Sequence, residues 1–280
     1  MNNTLYPCLT IKGKIEEAAN YYVRTFGDGK VDPVPPYVIQ LELSGQKLML
    51  LNEGPQSTPN PAISFMVISE TADETEQYWN KLLEGGQVLM PLDQYEWSPK
   101  YGWIQDKYGV SWQLYTGSKQ DTPQKFCPTL MFTGNNVGKA NEAIHFYTKV
   151  LQPASIQGIL NYSEADGDQR NLVKHAQFVL KDFVMMAMDS SYPHGFHFND
   201  SISFVVECET QAEIDAYWEQ LTADGGKEVA CGWLTDRYGV SWQIVPKMWS
   251  ALMKDQERAP RAMQALMKMK KLIIADLENA

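Results

Sequence analysis

Histidine is scarce in this chain, with four in 280 residues, and the four cysteines stand far apart. Cys8, Cys127, Cys208 and Cys231 form no CxxC pair. That spacing excludes a zinc knuckle or a disulfide frame and reads as reduced thiols in a cytoplasmic protein. Long apolar runs are missing as well. The longest, such as 48–51 and 184–188, fall far short of the ~18 residues a bilayer span needs, so no membrane partner is expected. The opening residues carry neither a basic n-region nor an apolar h-region, so no secretory signal is read. Basic residues are in deficit: 24 Lys plus Arg against 34 Asp plus Glu give a formal charge of -10. A nucleic-acid partner needs a basic face that this balance does not supply. No GxGxxG or GxxxxGK[ST] loop occurs, which excludes the usual nucleotide cradles. What is present is core material. With 44% hydrophobic and 11% aromatic residues, the chain excludes disorder and suggests about two domains of ~100–200 residues each.

An internal repeat organises the chain. Lys107-Tyr108-Gly109-Val110-Ser111-Trp112-Gln113 returns as Arg237-Tyr238-Gly239-Val240-Ser241-Trp242-Gln243, identical at six of seven positions. Upstream, Ile63-Ser64-Phe65 answers Ile202-Ser203-Phe204, and Tyr78-Trp79 answers Tyr217-Trp218. Glu17-Ala18 with Tyr22 answers Glu142-Ala143 with Tyr147. Two copies of one unit therefore occupy 1–117 and 126–247, joined by a polar linker at 118–125 and followed by a tail at 248–280.

Each unit reads as β-α-β-β-β written twice, which makes four modules. Ile15, Ala18, Ala19, Tyr22 and Phe26 recur at helical spacing, as do Ala140, Ala143, Ile144, Tyr147 and Leu151. Period-two strands follow: Tyr37, Ile39, Leu41 and Leu43 turn at Ser44-Gly45 into 47–51, and Ala176, Phe178 and Leu180 lead into 183–188. Thr71 with Glu74 and Thr210 with Glu213 predict capping boxes, and Gly85-Gly86 and Gly225-Gly226 predict the helix ends. Asp236-Arg237-Tyr238-Gly239 predicts a hairpin turn. The expected fold class is α+β. One curved sheet from a pair of modules would form a half-open barrel, with helices outside and a ligand-sized inner face.

Several segments are similar to the vicinal-oxygen-chelate (glyoxalase/bleomycin-resistance) superfamily, and more narrowly to its PhnB-like, 3-demethylubiquinone-9 3-methyltransferase-like branch. The likeness is carried by 142–147, by 202–206, by 231–246 (Cys-Gly-Trp-Leu-Thr-Asp-Arg-Tyr-Gly-Val-Ser-Trp-Gln-Ile-Val-Pro) and by the tail at 263–277. No glycine-rich methyl-donor loop accompanies the methyltransferase label. The resemblance implies one divalent metal held by a His on the first strand, a His on the fifth and a Glu on the eighth. On that pattern this chain has Cys8 and Thr129 first, Ala62 and Ser201 second, and Gln113 and Gln243 third. A neutral amide lacks the charge that anchors a hard cation, and Ala62 cannot ligate. No metal triad and no cofactor are therefore expected, with an atypical divalent-metal site as the alternative.

Alternation sets Val240, Trp242 and Ile244 on one face of the closing strand and Ser241, Gln243 and Val245 on the other; Val110, Trp112 and Leu114 against Ser111, Gln113 and Tyr115 repeat this. The mixed face, joined by Ser64, Met66, Ser203 and Thr129, is expected to line the barrels and to hold a small organic ligand. The competing reading is that Ser and Gln there are satisfied structurally by neighbouring strands. His175 is the lone acid/base candidate, but it has no identifiable carboxylate partner, and a half-exposed strand histidine is the simpler reading. His194 and His197 read as surface loop residues and His145 as solvent-facing. Asp106 and Asp236 read as turn openers. Tyr108 and Tyr238 could cap a cavity mouth, and the aromatic stretch 94–101 could form a loop-borne lid. The methionines at 185–188 and 263–269 read as core filler. The tail, near-helical from 249 to 277 with Pro260 interrupting it and basic at Lys268, Lys270 and Lys271, is expected to dock across the two barrels. Single-unit relatives are expected to dimerise, so the fused pair reads as an internal pseudo-dimer, with a homodimer left open. The function expected is small-molecule binding; the alternative is a metal-dependent isomerase, lyase or dioxygenase.

Overall fold

The computed structural model describes residues 4–34, 37–52 and 57–280, with backbone alone at 33–34 and 166–168. Four βαβββ modules follow one another. The first holds β1 (Leu5–Thr10), α1 (Ile15–Phe26), β2 (Gly29–Val34), β3 (Val38–Leu43) and β4 (Gln46–Leu51). The second holds β5 (Ile63–Ser69), α2 (Ala72–Leu82), β6 (Gln87–Tyr95), β7 (Ser98–Gln105) and β8 (Ser111–Thr116). The third holds β9 (Phe126–Phe132), α3 (Ala140–Val150), β10 (Ala154–Asn161), β11 (Val173–Leu180) and β12 (Phe183–Asp189). The fourth holds β13 (Ile202–Cys208), α4 (Gln211–Thr222), β14 (Lys227–Glu228), β15 (Trp233–Thr235) and β16 (Ser241–Pro246).

Modules pair across the repeat. One eight-stranded sheet runs β14-β15-β16-β13-β1-β4-β3-β2 and the other β10-β11-β12-β9-β5-β8-β7-β6. The first and fourth modules thus make a terminal barrel, the second and third a central barrel. Each barrel takes one module from each half of the chain, and both are completed within it. The joins are antiparallel: Cys8 faces Ser203 between β1 and β13, and Thr129 faces Ser64 between β9 and β5. Loops beside the joins clasp each other, Asn60 Nδ2 donating to the His197 carbonyl and Asn199 Nδ2 to the Thr58 carbonyl, both at 3.0 Å.

The outer faces of both sheets share one apolar core, with Trp112, Trp242, Tyr22, Tyr147 and Phe65 among its largest buried side chains. Two carboxylates cross it. Asp106 Oδ2 accepts from the Tyr22 hydroxyl of α1 (3.0 Å) and from Trp112 Nε1 (2.8 Å), and its Oδ1 takes the amides of Tyr108 and Val110. Asp236 repeats all four bonds with Tyr147 of α3, Trp242, Tyr238 and Val240. These residues are turn openers, as expected, but each also ties a helix from one sheet to the closing strand of the other. Burial pushes both carboxyls up from the ordinary range, and the four donated bonds oppose it. Tyr108 and Tyr238 point the same way. They lie on the helices, not at a barrel mouth, donating to Glu17 (2.7 Å) and Glu142 (2.9 Å), because the turn projects them to the outer face.

Local chemistry explains most element ends. Ser44 (φ 48°) and Gly45 (φ 75°) both sit in the left-handed region a two-residue hairpin requires. Thr210 and Glu213 form a full capping box. At Thr71 only half of it forms. Glu74 reaches back to the Glu70 amide instead, while Tyr78 and Lys125 take its other oxygen.

The tail is three short helices, α5 (Trp249–Leu252), α6 (Ala259–Leu266) and α7 (Ile274–Glu278), with Pro260 starting α6 where the missing N–H costs nothing. It does not dock across both barrels: its described contacts lie on the terminal barrel alone. Lys254 pairs with Asp32 on edge strand β2, and Lys270 pairs with Glu228 on the opposite edge strand β14. Cys231 and Gly232 donate to the carbonyls of Met269 and Lys270, and Gln211 holds the Leu272 carbonyl and the Ile274 amide. The tail therefore straps the two free edges of one sheet together. Exposed ion pairs of this kind contribute about 0–1 kcal/mol, so buried Leu252, Ala262, Leu272 and Leu277 do most of the holding, and they fasten the tail beside Val245 of β16, while the described tie to β2 is the Lys254–Asp32 pair. A side chain at Gly232 (φ 82°) would meet Leu272 at 3.0 Å, so the strap needs that glycine. Of the methionines at 263–269, Met269 is half-buried and packs against this small core, whereas Met263 is half-exposed outside it and Met267 is well exposed.

Candidate functional site

Alternation sends the mixed faces inward in both barrels, because Trp112, Leu114, Trp242 and Ile244 belong to the outer core. In the central barrel this brings Ser64, Thr129, Ser111 and Gln113 together, all buried. Gln113 is held at both ends: its Oε1 accepts from the Tyr101 hydroxyl (2.7 Å) and its Nε2 donates to Ser64 Oγ (2.8 Å). Trp103 Nε1 donates to Ser111 Oγ at 2.6 Å. Thr129 Oγ1 reaches only the Cys127 carbonyl, at 3.4 Å. Around these groups lie Met66, Ile68, Cys127, Val184 and Met186, with half-buried Met90, Tyr95, Trp103 and Tyr115.

In the terminal barrel the corresponding group is Cys8, Ser203, Ser241 and Gln243, again buried. Gln243 Nε2 donates to Ser203 Oγ at 2.9 Å. Burial pushes the Cys8 thiol up to about 12, against the Gln243 and Ser203 side chains beside it. A charged cluster stands further along the same face. Tyr6 donates to Glu207 Oε1 at 2.9 Å, Lys47 pairs with that same oxygen, and the ammonium lies 3.9 Å above the Tyr6 ring.

The positions that the superfamily pattern assigns to metal ligands are thus gathered as Thr129, Ala62 and Gln113 in one barrel and Cys8, Ser201 and Gln243 in the other. Each set mixes the two halves of the chain, since β8 shares its sheet with β9 and β16 with β1. Neither offers a carboxylate or an imidazole; one amide is engaged at both ends by Tyr101 and Ser64, and burial favours the protonated form of the one thiol. These donor sets do not fit a hard divalent cation. Among the described residues, no group of three His, Cys, Asp or Glu side chains is placed to hold a metal.

The other candidates separate. His175 lies on β11 with Ala176 and Phe178 turned to the core, so its ring faces the central barrel's inner side; among the described residues its ring has no hydrogen-bond partner, and burial lowers its pKa. His194 hydrogen-bonds Ser190 Oγ through Nε2 (2.7 Å) and stacks on Phe196, while His197 and His145 are exposed. The stretch 94–101 is not a loop. It is the turn of the β6–β7 hairpin, whose pairing shifts register three times. Such irregularities bend a ribbon and re-aim its side chains. Here they bring Tyr95 and Trp97 into a stack (5.0 Å, 25°) set edge-on against Tyr101. Trp103 was missed as a site residue, and Tyr101 was read only as part of the 94–101 stretch; their period-two spacing beside the Ser111-x-Gln113 strand was the available signal.

This fold, with two half-open barrels each built from paired βαβββ modules and a mixed polar floor, defines a glyoxalase-like member of the vicinal-oxygen-chelate superfamily. The chain belongs to the PhnB-like family described as 3-demethylubiquinone-9 3-methyltransferase, whose family model matches residues 3–115 and again 124–245. A PhnB protein from Bacillus cereus is 35% identical over 39% of this chain and 96% of its own, with a TM-score of 0.38. Glyoxalase I from Zea mays is 14% identical over 85% of this chain and 90% of its own, with a TM-score of 0.57, a likeness of fold alone. No curated protein matches.

Proposed function

We propose that this chain is a small-molecule-binding protein, a sequestration or sensing module that holds an organic ligand in a barrel without the superfamily's metal triad. The observation that carries this reading is the engagement of Gln113 at both ends. Where the pattern calls for a carboxylate, a neutral amide is committed to Tyr101 and Ser64. A polar floor framed by aromatic and thioether side chains suits a ligand held by apolar contact and a few hydrogen bonds. Four free cysteines, three of them buried, accord with a reducing cytoplasm as its location. Elemental analysis after dialysis tests the reading. Divalent metal well below one equivalent is expected, and a near-stoichiometric ion lost on mutating Gln113 or Gln243 would overturn it in favour of an enzyme.

A further inference from the structure

Resting on the small-molecule reading, we infer that the central barrel is the ligand site and that its ligand is a flat, uncharged aromatic molecule stacked on the Trp97 side of the β6–β7 hairpin. Three observations converge. The first is access: the tail lies on the terminal barrel, whereas on the central barrel the 118–125 linker covers the β9, β11 and β12 side, Thr122 donating to Gln177 and Gln124 to the Val184 carbonyl, and no described linker or tail contact reaches the β6–β7 side. The second is charge. The register turns Ser64, Gln113, Thr129, Met186, Gln177 and Trp103 inward, and the one charged side chain it adds among the described residues is Asp93, exposed on edge strand β6. His175 lies on the same face, where burial favours its neutral form. The terminal barrel, by contrast, carries Lys47 and Glu207 on its inner face. An anionic ligand entering the central barrel would lose hydration with no cation on that face to pair it, and a cationic one would meet only the Asp93 carboxylate, which stays hydrated at the exposed edge.

The third observation is shape. Trp97 is 51% exposed although it stacks on Tyr95 and abuts Tyr101, so part of a large aromatic surface is already oriented and still open. Aromatic rings prefer offset or edge-on partners, and such pairs add binding beyond their buried area. Half-buried Tyr115, Trp103 and Met90 continue the surface towards the polar floor.

The test uses the full-length protein with a matched probe set: indole (neutral), indole-3-acetate (anionic) and tryptamine (cationic), read by ligand-observed NMR and calorimetry. Indole is expected to bind more tightly than either charged probe. Trp97→Ala should weaken it about five- to tenfold and Trp97→Phe should restore most of the loss, while Trp233→Ala in the terminal barrel should leave it unchanged. Charged probes binding as tightly as indole, or a loss with Trp233→Ala in place of Trp97→Ala, would overturn the inference and leave small-molecule binding standing. Failure of every probe, neutral or charged, would overturn both.

Discussion

The two barrels are built from the same module and carry nearly the same closing strand, yet they are covered differently. The central barrel's edge hairpin is long, nine and eight residues in β6 and β7, and curls its own aromatics inward. The terminal barrel's hairpin is cut to two and three residues in β14 and β15, and the tail lies across the edges instead. One sheet is covered by its own hairpin together with the 118–125 linker, the other by the tail. A duplicated fold can therefore keep both cores while freeing one inner face to change.

The largest expected effect tests whether the shared core is balanced. Asp106→Ala or Asp236→Ala strands a tyrosine hydroxyl, an indole N–H and two amides inside the protein, so each should cost roughly 3–5 kcal/mol in denaturant unfolding. Near-equal losses are expected, and a difference above about 2 kcal/mol would show that one half dominates stability. The carboxyls also set a pH slope. Because burial raises their folded pKa, their contribution is fully present below the ordinary carboxylate value of about 3.9 and is lost as pH rises through the raised one. Asp106→Asn should flatten that slope.

Next is the strap. Leu272→Ala removes a fully buried side chain and should cost about 2–4 kcal/mol, mostly by loosening the tail. Cys8 and Cys127 are internal reporters, one on each inner face. At pH 8 a thiol pushed up to about 12 is thiolate in about one molecule in ten thousand, so Cys8 labelling is slow in the native protein. Leu272→Ala should speed Cys8 at least tenfold and leave Cys127 unchanged. Equal acceleration of both thiols would mean global unfolding and no strap.

Much of this was legible in the residues. The repeat, helices α1 and α3, the Ser44-Gly45 hairpin and the inward faces follow from local spacing, because period and turn chemistry are local. The cross-pairing of modules was not, since β1 can join β13 or β5 with the same alternation. Tyr108 illustrates a second limit: its exposure at a turn is visible in the sequence, but the side of the sheet it occupies depends on α1. The tail's apolar spacing signalled docking, yet the sheet that receives it is fixed by long-range partners such as Asp32 and Glu228.

The floors of the two barrels offer a finer comparison. Gln113 satisfies two side chains and Gln243 one hydroxyl, with the Cys8 thiol nearby. Gln113→Ala should therefore cost about 2–3 kcal/mol and Gln243→Ala about 1–2 kcal/mol, each measured by urea unfolding. Reversed order would mean that the terminal floor is the more tightly bonded one.

The smallest effect belongs to His175, which has no counterpart among the residues named on the terminal barrel's inner face. Burial favours its neutral ring, so its pKa lies below the ordinary value of about 6.5. The sign follows directly: its contribution to stability is present above the ordinary pKa and fades as pH falls through the lowered one. With no bonded partner among the described residues, His175→Ala should change stability at pH 7.5 by under about 0.5 kcal/mol. An NMR titration should find the ring's midpoint depressed, and ligand in the central barrel should depress it further by excluding water from the shared face. A midpoint at or above the ordinary value would mean that an acid reaches this ring, and the inner face of the central barrel would no longer be the uncharged one.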